Sequence, residues 1–177
     1  MTNNRRTRKN KKNGGDTVTD LIQHHHFLLR METRTCPTAD DKDMAGTLIS
    51  RILHDIKMKP LDNPHVYYVT EPRYNEGLTA ICPIQTSHIA FHFWKNPESK
   101  ILNNSESKCL LQFDIYTCGL LTLNNIRQVL HHLTVFEPTH VNATLINRNH
   151  SMTVDRHMRW DKDEHEWTRW VDRIPHM

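Results

Sequence analysis

From His26 onward the chain reads as short apolar runs divided by polar turns, interrupted twice by stretches of helical period. HFLLRM, residues 26–31, suits a first strand. After Asp40, the residues Met44, Leu48, Ile49, Ile52, Leu53 and Ile56 mark one face of an amphipathic helix. Asp40 or Asp41 caps its start and Pro60 stops it. Three strand candidates follow, HVYYVT (65–70), GLTAICPI (77–84) and SHIAFHFW (87–94). Their short turn-like connections favour antiparallel pairing. A polar insert, KNPESKILNNSESK (95–108), leads into CLLQFDIYT, where Leu111, Phe113 and Ile115 alternate with Gln112, Asp114 and Tyr116. Leu123, Ile126, Val129, Leu130 and Leu133 then mark a second helix, and THVNATLIN (139–147) a last strand. Two helices with about six strands predict a two-layer α/β sandwich, a mostly antiparallel sheet with both main helices on one face.

Composition changes this picture at the two ends. Arg5, Arg6, Arg8, Lys9, Lys11 and Lys12 precede the first acidic residue, Asp16, so the formal net charge of +3 combines a basic stretch with a mildly acidic remainder. Residues 1–20 are polar and aperiodic, which predicts a disordered basic tail. A solvated tail accounts for this charge without a nucleic-acid partner. Residues 21–150 carry the regular pattern and are expected to form one domain. Residues 151–177 are a Trp-rich extension, expected to be helical because Trp167, Trp170, Val171 and Ile174 share one helical face. Asp161 and Glu164 have capping-box spacing.

No apolar run is long enough to span a bilayer, and charge rather than an apolar core follows Met1, so a soluble, cytoplasmic protein is expected. The cysteines Cys36, Cys82, Cys109 and Cys118 form no Cys-x-x-Cys pair, which argues against a disulfide scaffold or a zinc ribbon. His24, His25 and His26 would alternate sides in a strand, so the run offers at most two ligands on one face, and no metal site is expected.

The chemistry-bearing residues sit in TSHIAFHFW. Ser87 lacks a Gly-x-Ser-x-Gly elbow and no acidic orienter is evident, so the pattern does not predict a Ser-His-Asp triad. Read singly, His88 and His92 are satisfied core histidines. Taken together, TSHIAFHFW, the upstream GLTAI and the downstream FDIYTCG resemble the bacterial and archaeal type of S-adenosylmethionine decarboxylase, over roughly residues 24–147. Those enzymes carry Ser-His-x-x-x-His at the start of one strand and Thr-Cys-Gly at the end of the next.

The resemblance implies a self-processing enzyme with a pyruvoyl cofactor made from its own chain. Ser87 would attack the Thr86 carbonyl, turning an amide into an ester, and elimination and hydrolysis would leave the pyruvoyl group at position 87. Fragments of 86 and 91 residues would result. By the same resemblance, His92 removes the Ser87 Cα proton, Thr79 takes the place of a serine that assists processing, and Cys118 donates a proton after decarboxylation. The pyruvoyl ketone would form a Schiff base with the substrate amine and serve as an electron sink.

Substrate contacts are expected from Arg73 or Tyr74, where the family places an adenine-stacking aromatic, and from Glu98, which matches a ribose-binding glutamate separated here from the histidine motif by Lys95 and Asn96. S-adenosylmethionine is the first substrate candidate, for polyamine synthesis. Arginine or ornithine is the alternative, because relatives acting on them keep the processing residues and change these contacts. A third reading is an inactive relative that binds a partner. The resemblance also implies a homodimer of processed two-chain protomers, with residues of both meeting near the interface.

Overall fold

The computed structural model describes residues 23–149 and 151–174; the basic tail expected over 1–20 lies outside them. Seven strands form one sheet: β1 (His25–Thr33), β2 (His65–Val69), β3 (Gly77–Ile84), β4 (Ser87–Lys95), β5 (Cys109–Thr117), β6 (Pro138–Asn147) and β7 (Thr153–Asp161). Their order is β2-β3-β4-β5-β1-β6-β7, and every neighbouring pair is antiparallel. Helices α1 (Lys42–Asp55) and α2 (Leu123–Leu133) cover one face. This is the two-layer α/β sandwich expected from the pattern.

The strands have one apolar and one polar face because their side chains alternate. Phe27, Leu29 and Met31 of β1, Ile89, Phe91 and Phe93 of β4, and Leu111, Phe113 and Ile115 of β5 point to the helices. Leu48, Ile49 and Ile52 of α1 and Ile126, Val129, Leu130 and Leu133 of α2 meet them. Burying each large side chain contributes about 1.5–3 kcal/mol, which far exceeds what the helices gain from local propensity. Thr122 opens α2 with a reciprocal cap: its Oγ1 accepts from Asn125 N at 3.1 Å, and its own N–H donates to Asn125 Oδ1 at 3.0 Å. Among the described residues no helix is long and apolar enough to cross a membrane.

Among the described residues no helix covers the opposite face of the sheet. His26, Leu28 and Arg30 of β1, His88, Ala90 and His92 of β4, and Gln112, Asp114 and Tyr116 of β5 occupy it, as their register requires. Strand register therefore decides which of these polar groups meet.

One expectation needs correction here. The helical reading of 151–177 holds only for α3 (Trp167–Asp172), since residues 153–161 form edge strand β7 against β6. Propensity yields here to an open sheet edge, where backbone pairing satisfies the strand. Glu166, not Asp161, is the N-cap of α3, and Trp160, Trp167 and Trp170 cluster with ring centroids 4.9–6.4 Å apart. Trp167 Nε1 donates to Thr134 Oγ1 at 2.7 Å, tying the segment to its own domain. Cys36 and Cys109 pair as a disulfide with Cα atoms 5.7 Å apart, while Cys82 and Cys118 are free, so one bridge is present and not a disulfide framework.

The 95–108 insert is held by a buried carboxylate. Glu32 is fully buried and accepts from Arg30 Nη1 at 2.6 Å, Asn103 Nδ2 at 2.7 Å, Asn104 N at 3.0 Å and Ser107 Oγ at 2.9 Å. Burial opposes its ionisation, but the Arg30 and Asn103 and Asn104 hydrogen bonds outweigh it and hold its pKa at about 2. A polar loop without regular pairing is thus fixed by one charge.

Candidate active site

The turn between β3 and β4 contains only Gln85 and Thr86, and Ile84 pairs with Ser87 across it. Two-residue hairpin turns usually place glycine or asparagine at positive φ. This chain supplies neither, and the positive φ falls on Ser87, at 141°. A non-glycine residue in so sparse a region costs about 1–3 kcal/mol, which the surrounding sheet must hold in place. For an L residue, φ 141° leaves the Thr86 carbonyl carbon and Ser87 Cβ nearly eclipsed about the N–Cα bond, at a torsion of about 20°. An ordinary antiparallel strand would separate them by about 100°.

The end of β5 grips the same turn. Cys118 N donates to the Thr86 carbonyl oxygen at 2.9 Å. Thr117 Oγ1 donates to Thr86 Oγ1 at 2.9 Å, and Gly119 N donates to Thr117 Oγ1 at 2.9 Å. A Cβ on Gly119 would stand 3.3 Å from that Thr117 oxygen and 3.5 Å from Thr86 Cγ2, so the turn is closely wrapped. Thr-Cys-Gly therefore meets Thr86-Ser87 through backbone pairing of β4 with β5.

Beside Ser87 lies an imidazole with an acidic neighbour. Ser87 Oγ is 3.1 Å from His88 Nδ1, and His88 Nε2 is 3.2 Å from Asp114 Oδ2. His26 Nε2 reaches the same Asp114 oxygen at 3.3 Å. The Tyr116 ring stands against both imidazoles, and Arg148 lies over its face at 4.3 Å. The expectation that Ser87 has no acidic orienter is thereby corrected. Asp114 is 27 residues away in sequence, and only the β4–β5 register sets it diagonally across from His88.

His92 and Thr79 form a second cluster. They pair directly across β3 and β4, and Thr79 Oγ1 hydrogen-bonds His92 Nδ1. Trp94 packs edge-on against the His92 ring with centroids 4.1 Å apart. Burial lowers the His92 pKa, and its Nε2 is buried without a hydrogen-bond partner among the described residues. A neutral imidazole with a free ring nitrogen can act as a base. Ser87 and His92 are five residues apart on one extended strand, which separates them by about 17 Å. One protomer does not bring them together.

A family model described as S-adenosylmethionine decarboxylase matches residues 25–149, from β1 through β6. The chain belongs to the S-adenosylmethionine decarboxylase family. No curated protein matches it. The family is pyruvoyl-dependent and the prokaryotic type fits the match; the residue expected from the sequence to carry that group is at position 87. Ser87 is present there with its preceding carbonyl held by a backbone N–H, so the residues fit a chain-derived pyruvoyl group.

The residues expected to contact substrate lie beside the His92 cluster. Arg73 and Tyr74 sit in a short 3-10 turn (Arg73–Asn75) tied to β4 by Trp94 Nε1 donating to Asn75 Oδ1 at 3.0 Å. Tyr74 is 85% exposed, free to lay its ring on a planar ligand. Glu98 follows β4 at the same end and pairs with Lys100 at 2.5 Å. Between the two clusters the open face holds a concavity of about 600 Å³, bordered by Arg30, Ala90, His92, Gln112, Asp114 and Asn142. Sequence reasoning missed Asp114 and His26 as site residues; the period-2 alternation of CLLQFDIYT, which puts Asp114 on the polar face, was the available signal.

Proposed function

We propose that this chain cleaves itself between Thr86 and Ser87 and, once processed, decarboxylates S-adenosylmethionine. The observation that carries this reading is the Ser87 backbone. Attack of Oγ on the Thr86 carbonyl closes a five-membered ring through Oγ, Cβ, Cα, N and the carbonyl carbon, which needs Cβ nearly eclipsed with that carbon. The φ of 141° supplies that arrangement before reaction. The Cys118 N–H on the Thr86 oxygen stabilises the negative charge that develops there. Holding the reacting groups in this geometry removes much of the entropic barrier to the attack.

Elimination requires a base at the Ser87 Cα proton. His92 carries that role in trans: when two copies stack their open faces in opposite directions, His92 and Thr79 of a second copy approach Ser87 of the first. The separation of about 17 Å along β4 is the reason a homodimer is needed. The pyruvoyl group so formed provides a conjugated carbonyl that takes up the electrons released with carbon dioxide. Cys118, whose backbone N–H meets the Thr86 carbonyl, returns a proton after decarboxylation, while Tyr74 and Glu98 hold the adenosine of the substrate.

Mass measurement of purified protein tests processing: two fragments are expected from the wild type, and one chain of 21.0 kDa from Ser87→Ala. An intact wild-type chain after long incubation would refute it. Because Arg73 stands beside Tyr74 and favours a carboxylate, carbon dioxide release is measured with S-adenosylmethionine, arginine and ornithine in parallel. Release from arginine or ornithine alone would replace the substrate and keep the mechanism.

A further inference from the structure

The open face holds one polar group that the proposed chemistry leaves without work. His88 follows the reactive serine, yet it is neither the base for the Cα proton nor a substrate contact. Its Nδ1 lies 3.1 Å from Ser87 Oγ, and its other ring nitrogen lies 3.2 Å from Asp114 Oδ2. Adjacent residues on a regular strand point to opposite faces, so this approach depends on the φ of 141° at Ser87.

We infer that His88 is the proton shuttle of the first processing step and Asp114 the residue that positions it. This rests on the reading of Ser87 as the self-processing residue. His88 Nδ1 takes the Oγ proton as the Oγ–carbon bond forms to the Thr86 carbonyl. The Thr86 carbon–nitrogen bond then breaks, and His88 returns the same proton to the Ser87 nitrogen. The products are a Thr86 ester on Ser87 Oγ and a free Ser87 amine, with no net gain or loss of protons. While His88 holds the proton it is an imidazolium facing the Asp114 carboxylate, which stabilises it at the moment it exists. Oriented by that carboxylate, the ring presents Nδ1 to the serine.

The surroundings of His88 fit the task. Asp114 and Tyr116 face it from β5, His26 faces the same carboxylate from β1, and Arg148 lies over the Tyr116 ring. Asp114 is thus shared by two imidazoles, one on β1 and one on β4. The arrangement also divides the labour between two histidines. His88 moves the Oγ proton within its own chain, whereas His92 of the second copy removes the Cα proton afterwards.

Full-length precursor made by cell-free synthesis is followed by mass, and by hydroxylamine cleavage, which cuts the ester and not the amide. His88→Ala is expected to slow ester formation by about 100-fold or more, with partial recovery in added imidazole. His88→Gln keeps a hydrogen-bond acceptor near Oγ but cannot carry the proton, and it is expected to remain slow. Asp114→Asn is expected to lower the rate of ester formation, and Asp114→Glu, which keeps a carboxylate to orient the His88 ring, to recover part of it. A purely packing role for Asp114 would let the isosteric Asn keep the rate and give Glu no advantage over it. In His92→Ala the ester is expected to accumulate, and in the His88→Ala/His92→Ala double variant it is not. If the wild type is cleaved and both His88 variants match it in rate and pH dependence, the inference is overturned while self-processing stands. If the wild type never forms ester or fragments, the processing reading itself has failed.

Discussion

Replacing Glu32 with glutamine removes one charge and one acceptor from a site built for both. The carboxylate receives Arg30, Asn103, Asn104 and Ser107 donors, and glutamine would turn an NH₂ group toward part of that set. The native pKa of about 2, against 4.5 for a free glutamate, corresponds to about 3 kcal/mol of stability at neutral pH. Because the folded pKa is depressed, this contribution is complete above the unfolded value, near 4.5, and is lost as pH falls toward about 2. The assay is urea unfolding of Ser87→Ala protein, which keeps the chain in one piece, with and without Glu32→Gln. At pH 7 the variant is expected to lose about 3 kcal/mol, a fall in Tm of about 6–12 °C for a chain of this size. At pH 3 the gap should narrow. Equal stability at pH 7, or a gap that does not change with pH, would refute the reasoning.

Co-expressed Ser87→Ala and His92→Ala chains are expected to yield processed fragments that neither produces alone, because His92 acts across the dimer; native gels and mass of the mixture check this. His92 is expected to titrate at lower pH than a free imidazole, since burial lowers its pKa; histidine NMR titration of Ser87→Ala protein reads it directly. Cys118→Ala should still be cut but lose most decarboxylation, measured as carbon dioxide release per pyruvoyl group. Trp167→Ala should cost about 3–5 kcal/mol and flatten the near-ultraviolet dichroism of the Trp160, Trp167 and Trp170 cluster, seen by denaturant titration.

Much of the fold is visible in local pattern. GLTAICPI and CLLQFDIYT coincide with β3 and β5, and Leu123 through Leu133 coincides with α2, because one buried face forces its period onto the sequence. β7 is different. TVDRHMRWD is exposed at Thr153 through His157, with only Trp160 buried, so no alternating buried face marks it, and it is a strand because β6 offers an unpaired edge. The Glu32 clamp was equally hidden, since its donors Asn103, Asn104 and Ser107 lie more than 70 residues away.

For the candidate site the division is sharper. The sequence alone named Ser87, His92, Cys118 and Thr79, because their types and spacings resemble one chemistry. Tertiary structure decided how they are distributed: Cys118 joins Thr86-Ser87 through β5, and Thr79 joins His92 across β3 and β4. It separated Ser87 from His92, because an extended strand carries residues five apart to different places. It also brought Asp114 to His88 and placed the positive φ on Ser87 rather than in the turn. Residue types are local properties of the chain, whereas register, backbone torsion and the meeting of distant strands are fixed only when the whole sheet closes on its core.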